Sequence, residues 1–588
     1  EVRRWVRDSL KQGFSATPGL GGIFTITMSE GVTSCPSRGR QATCPRCAKR
    51  SVADIVAEIN TAMIEGMQAG NPEAVALLYT WEWGRTGDVP RIVEQLPKRN
   101  VRLMTVSENG MQICRGGVTG DVGDYSISAG GPGEPAKRIW SLARRNGFPA
   151  VAKVQANCSW ELSSFPYLPV AELVAEHAVN LKRVGVDGVM LSWSVGCCPA
   201  PNLRIFGDIR ASDVDKDAVL DRLAAASYGA EATPAVRKAW HAFAEGFREY
   251  PFSVGVAYLG PQHWGPANPL YLKPTGSRAT MVGFPYDAIQ SWRSRYPEDV
   301  WQGQMAKVAD GFARGCELFA QAIARMRPEA RSAAERELAM FRAETLHFRS
   351  SADQMGFYRA REAGDRGEMA RLAARELQSA KELLRLARDG RQIYVEVKGN
   401  DPSWVPYIKA EVAAAKNVNP RNVLFITFGD RVCAELKRQL PEYRAYFLLG
   451  SHQGKGDARR PWTADEVIAK LRELGKIEIV KRGQKLIAAD GDLYSYAIPV
   501  SGDSPLKGRS IRESRLRENY DCMLLGVQRN KLPILQPDVN MVIQSGDLVW
   551  VLGTQRMANK LLSSGLETAG EMNYDTSDKE NSERETQP

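Results

Sequence analysis

IFTITMSE, residues 23–30, is the first of five short apolar runs that end at or near a Glu or a Trp. The other four are AVALLYTWEW (74–83), VRLMTVSE (101–108), AVAKVQANCSWE (150–161) and DGVMLSWSVG (187–196). Helical patterns at 52–69, 136–146 and 170–184 separate some of these runs. Strands alternating with helices predict a parallel α/β sheet. Because five strands are too few to close an eight-stranded barrel, we expect an α/β fold built on a partial (β/α)8 barrel.

Carboxylates and indoles gather at the predicted carboxyl ends of these strands, where parallel sheets meet their ligands. Glycosidic bond hydrolysis uses a pair of carboxyl groups, and Trp offers a flat face to a sugar ring. The alternative for each Glu is that it caps the next helix or pairs with an Arg. The predicted catalytic residues are Glu30, Glu82 and Glu108, and the predicted substrate contacts are Trp81, Trp83, Trp160, Glu161 and Trp193.

Length and composition restrict the class of protein to which this chain can belong. With 588 residues we expect three or four domains, and 43% hydrophobic with 25% charged residues is typical of a globular protein. No apolar run reaches the ~18 residues that span a bilayer, and the start, EVRRWVRDSLKQGF, lacks a signal-peptide pattern. We therefore expect a cytoplasmic protein without a membrane segment, whose first residue is a cut end inside a larger protein.

The net charge of +10 does not indicate nucleic-acid binding, because basic and acidic residues are interspersed. Pairs spaced i,i+4 in the most basic region, such as Arg331 with Glu335, are typical of a solvated helix face.

Changes in composition and in the spacing of apolar residues along the chain predict the domain organisation. After the partial barrel come a helical domain, a second βα fragment, a small α+β domain of short strands, and an acidic tail that we expect to be disordered. The predicted bounds are 1–205, 206–390, 391–475, 476–565 and 566–588. A glycine-rich loop is predicted at 116–135, either closing over the site or lying as an ordinary surface loop.

Three of the ten cysteines lie close together in sequence, as Cys35 and the Cys44-Pro45-Arg46-Cys47 knuckle. Three thiolates at this spacing resemble part of a structural zinc site. The alternative is that these cysteines are free or disulfide-bonded. Zinc is the one cofactor that the sequence suggests.

The first part of the chain resembles a bacterial family of uncharacterised proteins related to (β/α)8 glycoside hydrolases, such as family 20 hexosaminidases and the α-glucuronidases. The resemblance rests on TITMSEG (25–31), CPRCAKR (44–50), VAKVQANCSWELSSFPYLPV (151–170), VDGVMLSWSVG (186–196) and YPFSVGVAYLGPQHWGPANPLY (250–271). It implies that Glu30 takes the place of the acid, although Ser29 stands where family 20 has Asp. It also implies that Trp160 and Glu161 hold sugar hydroxyls.

The second block resembles glycerophosphodiester phosphodiesterases, through RQIYVEVKG (391–399) and NVLFITFGDRVCAELKRQLPEYRAYFLLG (422–450). In that family the Glu and Lys that match Glu396 and Lys398 meet a divalent metal and a phosphate. The other metal-binding elements of the family are not found here. We therefore expect an inactive remnant, with an ordinary strand Glu and Lys as the alternative.

The third block, residues 494–553, resembles a TrkA-C (RCK_C) domain of a Kef-type cation:proton antiporter. The matching elements are SPLKG (504–508), a short helix, a strand ending in basic residues, and GDLVWVLG (546–553). The resemblance implies a non-enzymatic domain that dimerises and binds small regulatory ligands or ions.

The three resemblances together favour a chain made by fusing pieces of unrelated protein families over a protein that evolved as a single unit. The leading functional prediction is a carbohydrate-active barrel that acts on glycosidic bonds and binds a carbohydrate substrate. The alternative is a non-enzymatic regulatory protein of cation transport, acting through the RCK_C-like block.

Overall fold

The chain folds into two compact units, Glu1–Leu386 and Ala387–Pro588. Their boundary lies close to the one predicted at residue 390. The computed structural model describes residues 1–29, 33–196, 198–211, 215–386, 393–415, 419–448, 452–453, 459–460, 493–516, 519, 523–530, 532–535, 537–554, 561, 564 and 566. Glu30 and all but the first residue of the 566–588 tail lie outside these residues. The sequence pattern also predicts a helix at 463–474, a strand at 476–480 and a helix at 555–562, and of these three elements only Leu561 is described.

Unit 1 is built on the predicted five-stranded parallel sheet, and each apolar run begins as a strand. The strands are β1 (Gly22–Ile26), β2 (Val75–Tyr79), β3 (Val101–Val106), β6 (Ala150–Val154) and β7 (Gly188–Leu191), in the order β1-β2-β3-β6-β7. All four neighbouring pairs are parallel. The prediction of a parallel α/β sheet is confirmed.

The sheet is curled into a half-barrel. In a flat sheet its outer strands β1 and β7 would lie about 19 Å apart. Yet the ring of Phe24 on β1 lies 5.5 Å, centroid to centroid, from the ring of Trp193, two residues beyond β7. Such closeness requires curvature, so side chains from all five strands meet on one concave face.

The two faces of the sheet have different roles, as the two-residue period of a strand requires. Ala76, Leu78 and Leu103 pack on the helix side, whereas Tyr79 and Met104 face the concave side. On the helix side, the buried side chain of Asn60 holds the helix Val52–Gly70 against β1. Its carbonyl oxygen accepts from the Thr25 hydroxyl, and its NH2 group donates to the Thr27 hydroxyl.

Helices cover the outside of the sheet and form the rest of unit 1. They are α1 (Val2–Ala16), α2 (Val52–Gly70), α3 (Val89–Glu94), α4 (Glu134–Arg145), α5 (Ala171–Val184), α6 (Pro201–Ala211), α7 (Lys216–Tyr228), α8 (Thr233–Arg248), α9 (Val254–Leu259), α10 (Ile289–Arg293), α11 (Glu298–Ile323), α12 (Pro328–Ala363) and α13 (Arg366–Arg385). One apolar cluster runs from Ile113 to Leu372. The partial barrel and the helical region therefore share a core.

Two local predictions in unit 1 are corrected. Within the predicted helical domain, the apolar period of residues 330–388 predicts one long helix. The structure has two helices there, because Gly364 adopts a left-handed conformation that ends α12 and Asp365 accepts from the Glu368 N–H to start α13. Part of the loop expected at 116–135 is a hairpin, β4 (Gln112–Arg115) with β5 (Val118–Asp121). Its turn uses the left-handed conformations of Gly116 and Gly117.

Unit 2 begins with the predicted β-α-β-α-β succession. Its elements are β8 (Ile393–Glu396), α14 (Val405–Ala414), β9 (Val423–Thr427), α15 (Asp430–Gln439) and β10 (Arg444–Phe447). The strands form a parallel sheet in the order β10-β9-β8. A two-residue antiparallel pair follows, β11 (His452–Gln453) with β12 (Arg459–Arg460).

The last part of unit 2 is a four-stranded antiparallel sheet with its own core. The elements are β13 (Leu493–Pro499), a short helix α16 (Ile511–Ser514), β14 (Met523–Arg529), β15 (Leu532–Leu535) and β16 (Leu548–Thr554). The strand order is β13-β16-β14-β15. Ser510 and Glu513 form a reciprocal capping box that starts α16.

Within the residues that the structure describes, no helix combines the length and the apolar character needed to cross a membrane.

Candidate functional site

The candidate site lies on the concave face of the unit 1 sheet, at the carboxyl ends of its strands. Trp81 follows β2, and its ring is nearly parallel to that of Tyr125, with a 7° angle and 6.1 Å between centroids. Trp81 also stacks on Tyr79 at 5.9 Å. Trp81 and Trp193 are both partly exposed. Two partly exposed aromatic rings therefore lie on this face, and their role as substrate contacts stays a prediction.

A buried cation lies beneath these rings. Lys153, near the carboxyl end of β6, has no exposed surface. Its Nζ lies 4.9 Å from the ring centroid of Tyr125 and 5.4 Å from that of Trp193, and it donates a hydrogen bond to the carbonyl of Ser192. Cation–π contacts and one carbonyl compensate part of the cost of burying this charge.

Glu108 follows β3 and is fully buried. Among the described residues neither of its carboxyl oxygens has a hydrogen-bond partner. Burial raises the pKa of Glu108 well above its ordinary value; the nearby charge of Lys153 opposes this shift, and those of Glu161 and Asp124 add to it. The shift favours the protonated form of Glu108, which is the state a proton donor needs.

A histidine lies directly beside this acid. His177 Nδ1 is 3.4 Å from Glu108 Oε1, and His177 Nε2 is within hydrogen-bond distance of the Ser107 hydroxyl, at 2.7 Å. Burial lowers the pKa of His177 to about 3, so the ring is neutral and has a single N–H. The three side chains thus form one buried polar group beside the end of β3.

A second buried carboxylate, Asp124, lies on the segment after β5. Its Oδ1 accepts from the Tyr125 N–H at 2.8 Å, and its Oδ2 accepts from the Tyr258 hydroxyl. The Tyr125 hydroxyl lies 2.8 Å from that of Tyr79. These bonds fix Tyr125, and with it the ring that stacks on Trp81.

Glu161 was predicted as a sugar contact, but its carboxylate is already occupied by protein donors. It accepts from the hydroxyls of Ser126 and Ser159 at 2.8 and 2.6 Å and from the Ile127 N–H at 2.7 Å. Ser128 donates to it through both its N–H and its hydroxyl. Glu161 therefore anchors the 126–128 segment and has little capacity left for a ligand.

Trp160, the neighbouring prediction, is partly buried beside Tyr258, with 5.7 Å between ring centroids. Within the described part of the chain its indole N–H has no acceptor. Trp160 thus keeps a donor that a bound hydroxyl group could use.

Two predicted residues lie elsewhere. Trp83 is fully buried in the apolar cluster on the helix side of the sheet and donates to Thr27, so its ring cannot stack on a ligand. Glu82 pairs with Arg85 at 3.2 Å. The cause is local: Glu82 adopts a left-handed backbone with φ 61°, which turns the chain away from the strand direction. Glu30 lies outside the described residues.

Two further sets of predicted residues, the three cysteines after β1 and the Glu–Lys pair of unit 2, each lie close together in the structure. The sulfur atoms of Cys35, Cys44 and Cys47 all lie within 4.8 Å of one another. In unit 2, Lys398 forms an ion pair with Glu396 at the end of β8. The expectation of an inactive remnant there stays a prediction.

Asp124 and Tyr125 lie on the loop predicted at 116–135, which the sequence offered either as closing over the site or as an ordinary surface loop, whereas sequence reasoning missed Lys153 and His177. Lys153 could have been found from the sequence, because a Lys inside the apolar strand AVAKV faces a sheet surface that should be buried. The sequence gives no comparable indication for His177, because it lies on an amphipathic helix and its partners Ser107 and Glu108 are distant in sequence.

No curated protein matches this chain. Solved structures with similar folds include a GH138 enzyme targeting pectin rhamnogalacturonan II, with 10% identity, 66% of this chain and 57% of that chain covered, and a TM-score of 0.41. Another is a family 89 glycoside hydrolase from Clostridium perfringens in complex with GlcNAc-alpha-1,4-galactose, with 11% identity, coverages of 62% and 34%, and a TM-score of 0.35. The chain thus spans only part of the length of either enzyme.

A third similar structure is the RCK_C domain dimer of S. agalactiae BusR in complex with c-di-AMP, with 25% identity, 12% of this chain and 91% of that chain covered, and a TM-score of 0.11. A likeness of residues 391–474 to glycerophosphodiester phosphodiesterases is not shown and stays a prediction. The region that contains β14 to β16 has a family assignment: residues 496–564 match the TrkA-C domain.

Proposed function

We propose that the concave face of the unit 1 sheet binds a carbohydrate, and that Glu108 acts there as proton donor to a glycosidic oxygen. One observation carries the proposal: the partly exposed rings of Trp81 and Trp193 pack on this face, close to a buried carboxyl group, Glu108, whose pKa is raised by burial. Indole faces stack on the C–H groups of sugars, and a carboxyl group with a raised pKa can donate its proton at neutral pH.

The reaction class follows from the carboxyl groups. Glycoside hydrolysis needs an acid and a second carboxylate. Asp124 is the second carboxylate of this proposal, because its charge is close enough to raise the pKa of Glu108. Glu108 has no exposed surface, so a substrate reaches it only when the side chains around it give way.

Carbohydrate binding is tested first and without catalysis. The full chain is titrated with a panel of mono- and oligosaccharides by calorimetry. Trp81→Ala should weaken binding at least tenfold, because it removes a stacking face. Trp5→Ala is the matched control, since Trp5 is 70% exposed on α1 and should leave binding unchanged. Equal affinities for wild type and Trp81→Ala would contradict the binding proposal.

Hydrolysis is tested with aryl glycosides of the sugar that binds. Glu108→Gln keeps the shape of the side chain but removes the acid, and should lower kcat by about a hundredfold or more while sugar binding persists. Glu82→Gln, at the ion-paired Glu outside the aromatic cluster, should keep full activity. Binding without turnover in the wild type would limit the function to carbohydrate recognition.

A second function is favoured by the TrkA-C match at 496–564. This region forms a dimer and binds a small regulatory ligand. Since a similar solved RCK_C domain is a dimer in complex with c-di-AMP, c-di-AMP is the first probe, followed by other nucleotides and monovalent cations. Light scattering should give twice the mass of one chain. A monomeric chain with no thermal shift for any of these probes would exclude this function.

A further inference from the structure

The segment between β1 and α2 is long and has little regular structure. Within the described residues from 33 to 51, it contains a single 3-10 turn, Pro36–Arg38. Loops of this length are held by contacts of their own or by a cross-link. Many of its residues are exposed, so apolar packing cannot fix it alone.

Three thiols converge in this segment. Cys35, Cys44 and Cys47 are free cysteines, and their sulfur atoms all lie within 4.8 Å of one another. Thiolates on one tetrahedral zinc ion are about 3.8 Å apart, given Zn–S bonds of about 2.3 Å. The observed spacing therefore needs only a small contraction to accept the ion. Within the part of the chain that the structure describes, no fourth Cys, His or carboxylate joins this group.

The backbone already has the shape of a metal-binding knuckle. The Cys44 carbonyl accepts from the N–H groups of Cys47 and Ala48 at 3.2 and 2.9 Å, and the amide of Gln41 donates to the Cys47 carbonyl at 3.0 Å. The N–H groups of Arg46 and Cys47 are directed at the Cys44 sulfur. This turn is formed by main-chain contacts, so the sulfur positions do not depend on a disulfide.

The charge of the segment fits an anionic centre. Three thiolates and one Zn²⁺ sum to a charge of −1. The exposed side chains of Arg40, Arg46 and Lys49 lie on the same segment and would offset that charge. A disulfide would use two sulfurs and leave the third as a thiol, although all three lie within 4.8 Å of one another. A metal ion uses all three.

We propose that Cys35, Cys44 and Cys47 bind one zinc ion as thiolates, with a water molecule or another exchangeable ligand in the fourth position. The ion cross-links the segment that follows β1. It has a structural role and does not depend on the proposed carbohydrate site.

The test measures metal content on the full chain, purified under reducing conditions. Wild type should contain one zinc per chain, and the metal-free chain should bind Co²⁺ with the absorption bands of thiolate coordination. Cys44→Ser should weaken binding at least tenfold. Cys114→Ser is the matched control, because Cys114 is an exposed free thiol outside the cluster, and this variant should bind like the wild type.

A second measurement remains informative if Cys44→Ser does not fold. Alkylation of the wild-type chain, followed by mass spectrometry, should modify Cys114 readily in the presence of zinc while Cys35, Cys44 and Cys47 are protected. Removal of zinc by a chelator should expose all three. A reduced wild-type chain that binds neither zinc nor cobalt, or equal alkylation of the four cysteines with and without zinc, would overturn the proposal.

Discussion

Glu344 lies in α12 without exposed surface, and among the described residues neither of its carboxyl oxygens has a hydrogen-bond partner. Burial raises the pKa of Glu344 well above its ordinary value. The folded protein therefore holds a proton that the unfolded chain releases above about pH 4.3. The sign follows from linkage: the contribution of Glu344 is intact at low pH and is lost as the pH rises towards its folded-state pKa.

Glu344→Gln should therefore stabilise the protein increasingly as the pH rises. At pH 5 the amide replaces a protonated carboxyl group, and the change in unfolding free energy should be small. Above pH 5 the variant should gain about 1.4 kcal/mol per pH unit over wild type, up to the folded-state pKa. Urea unfolding at pH 5, 6.5 and 8 measures this. Glu335→Gln, exposed on the same helix, is the control, and a pH-independent difference for Glu344→Gln would contradict the argument.

The candidate site shows which residues sequence patterns can and cannot reveal. Strand-end position predicted that Trp81, Trp193 and Glu108 share one face, because period and topology determine it. The same rule was wrong for Trp83, because the left-handed backbone of Glu82 redirects the chain. His177 was not predictable, since its role depends on a helix packing that no local pattern encodes.

At the scale of elements, α8 and α11 pack so closely that their glycines are required. A Cβ added to Gly311 would lie 2.4 Å from the Gly246 Cα, and one added to Gly246 would lie 2.8 Å from the Gly311 Cα. Both contacts are with backbone, which cannot move aside as a flexible side chain can. The two helices approach at this crossing because neither has a side chain there.

Gly311→Ala should lower the unfolding free energy by about 1–3 kcal/mol, the usual cost of overpacking a core. Gly303→Ala lies on the same helix, where an added Cβ meets nothing within 4 Å. It should stabilise the protein by up to about 1 kcal/mol through helix propensity. Chemical denaturation of both variants gives the comparison. Equal effects of the two substitutions would show that the crossing tolerates a side chain.

Elements with strong apolar periodicity were predictable, and those without it were not. The inner strands β3 and β6 are buried at all but one of their positions and read as apolar runs. In the hairpin β4–β5, Ile113 is the one buried residue and the others are exposed or partly exposed, so the two strands carry little apolar signal. The break between α12 and α13 depends on two residues: Gly364 ends the first helix and Asp365 starts the second. These local signals prevail although the apolar pattern continues across the break.

At the scale of the whole molecule, each compact unit has an apolar core of its own. In unit 2 the antiparallel sheet packs around Ile498, Val527 and Val549. The same sheet holds a nearly buried ion pair. Arg529 donates to both carboxylate oxygens of Asp547, at 2.8 and 2.7 Å, and the Asp547 side chain is 1% exposed. Without the arginine, this carboxylate would lose its only cationic partner among the described residues.

Because the cores are separate, we expect the units to unfold in two calorimetric transitions. Gly311→Ala should lower the midpoint of one transition only. Arg529→Ala should lower the other, by the equivalent of about 2 kcal/mol, since Asp547 loses two charge-assisted hydrogen bonds. Their effects should add in the double variant, because the two sites share no partners. A single transition, or a variant that shifts both midpoints, would show that the units fold as one.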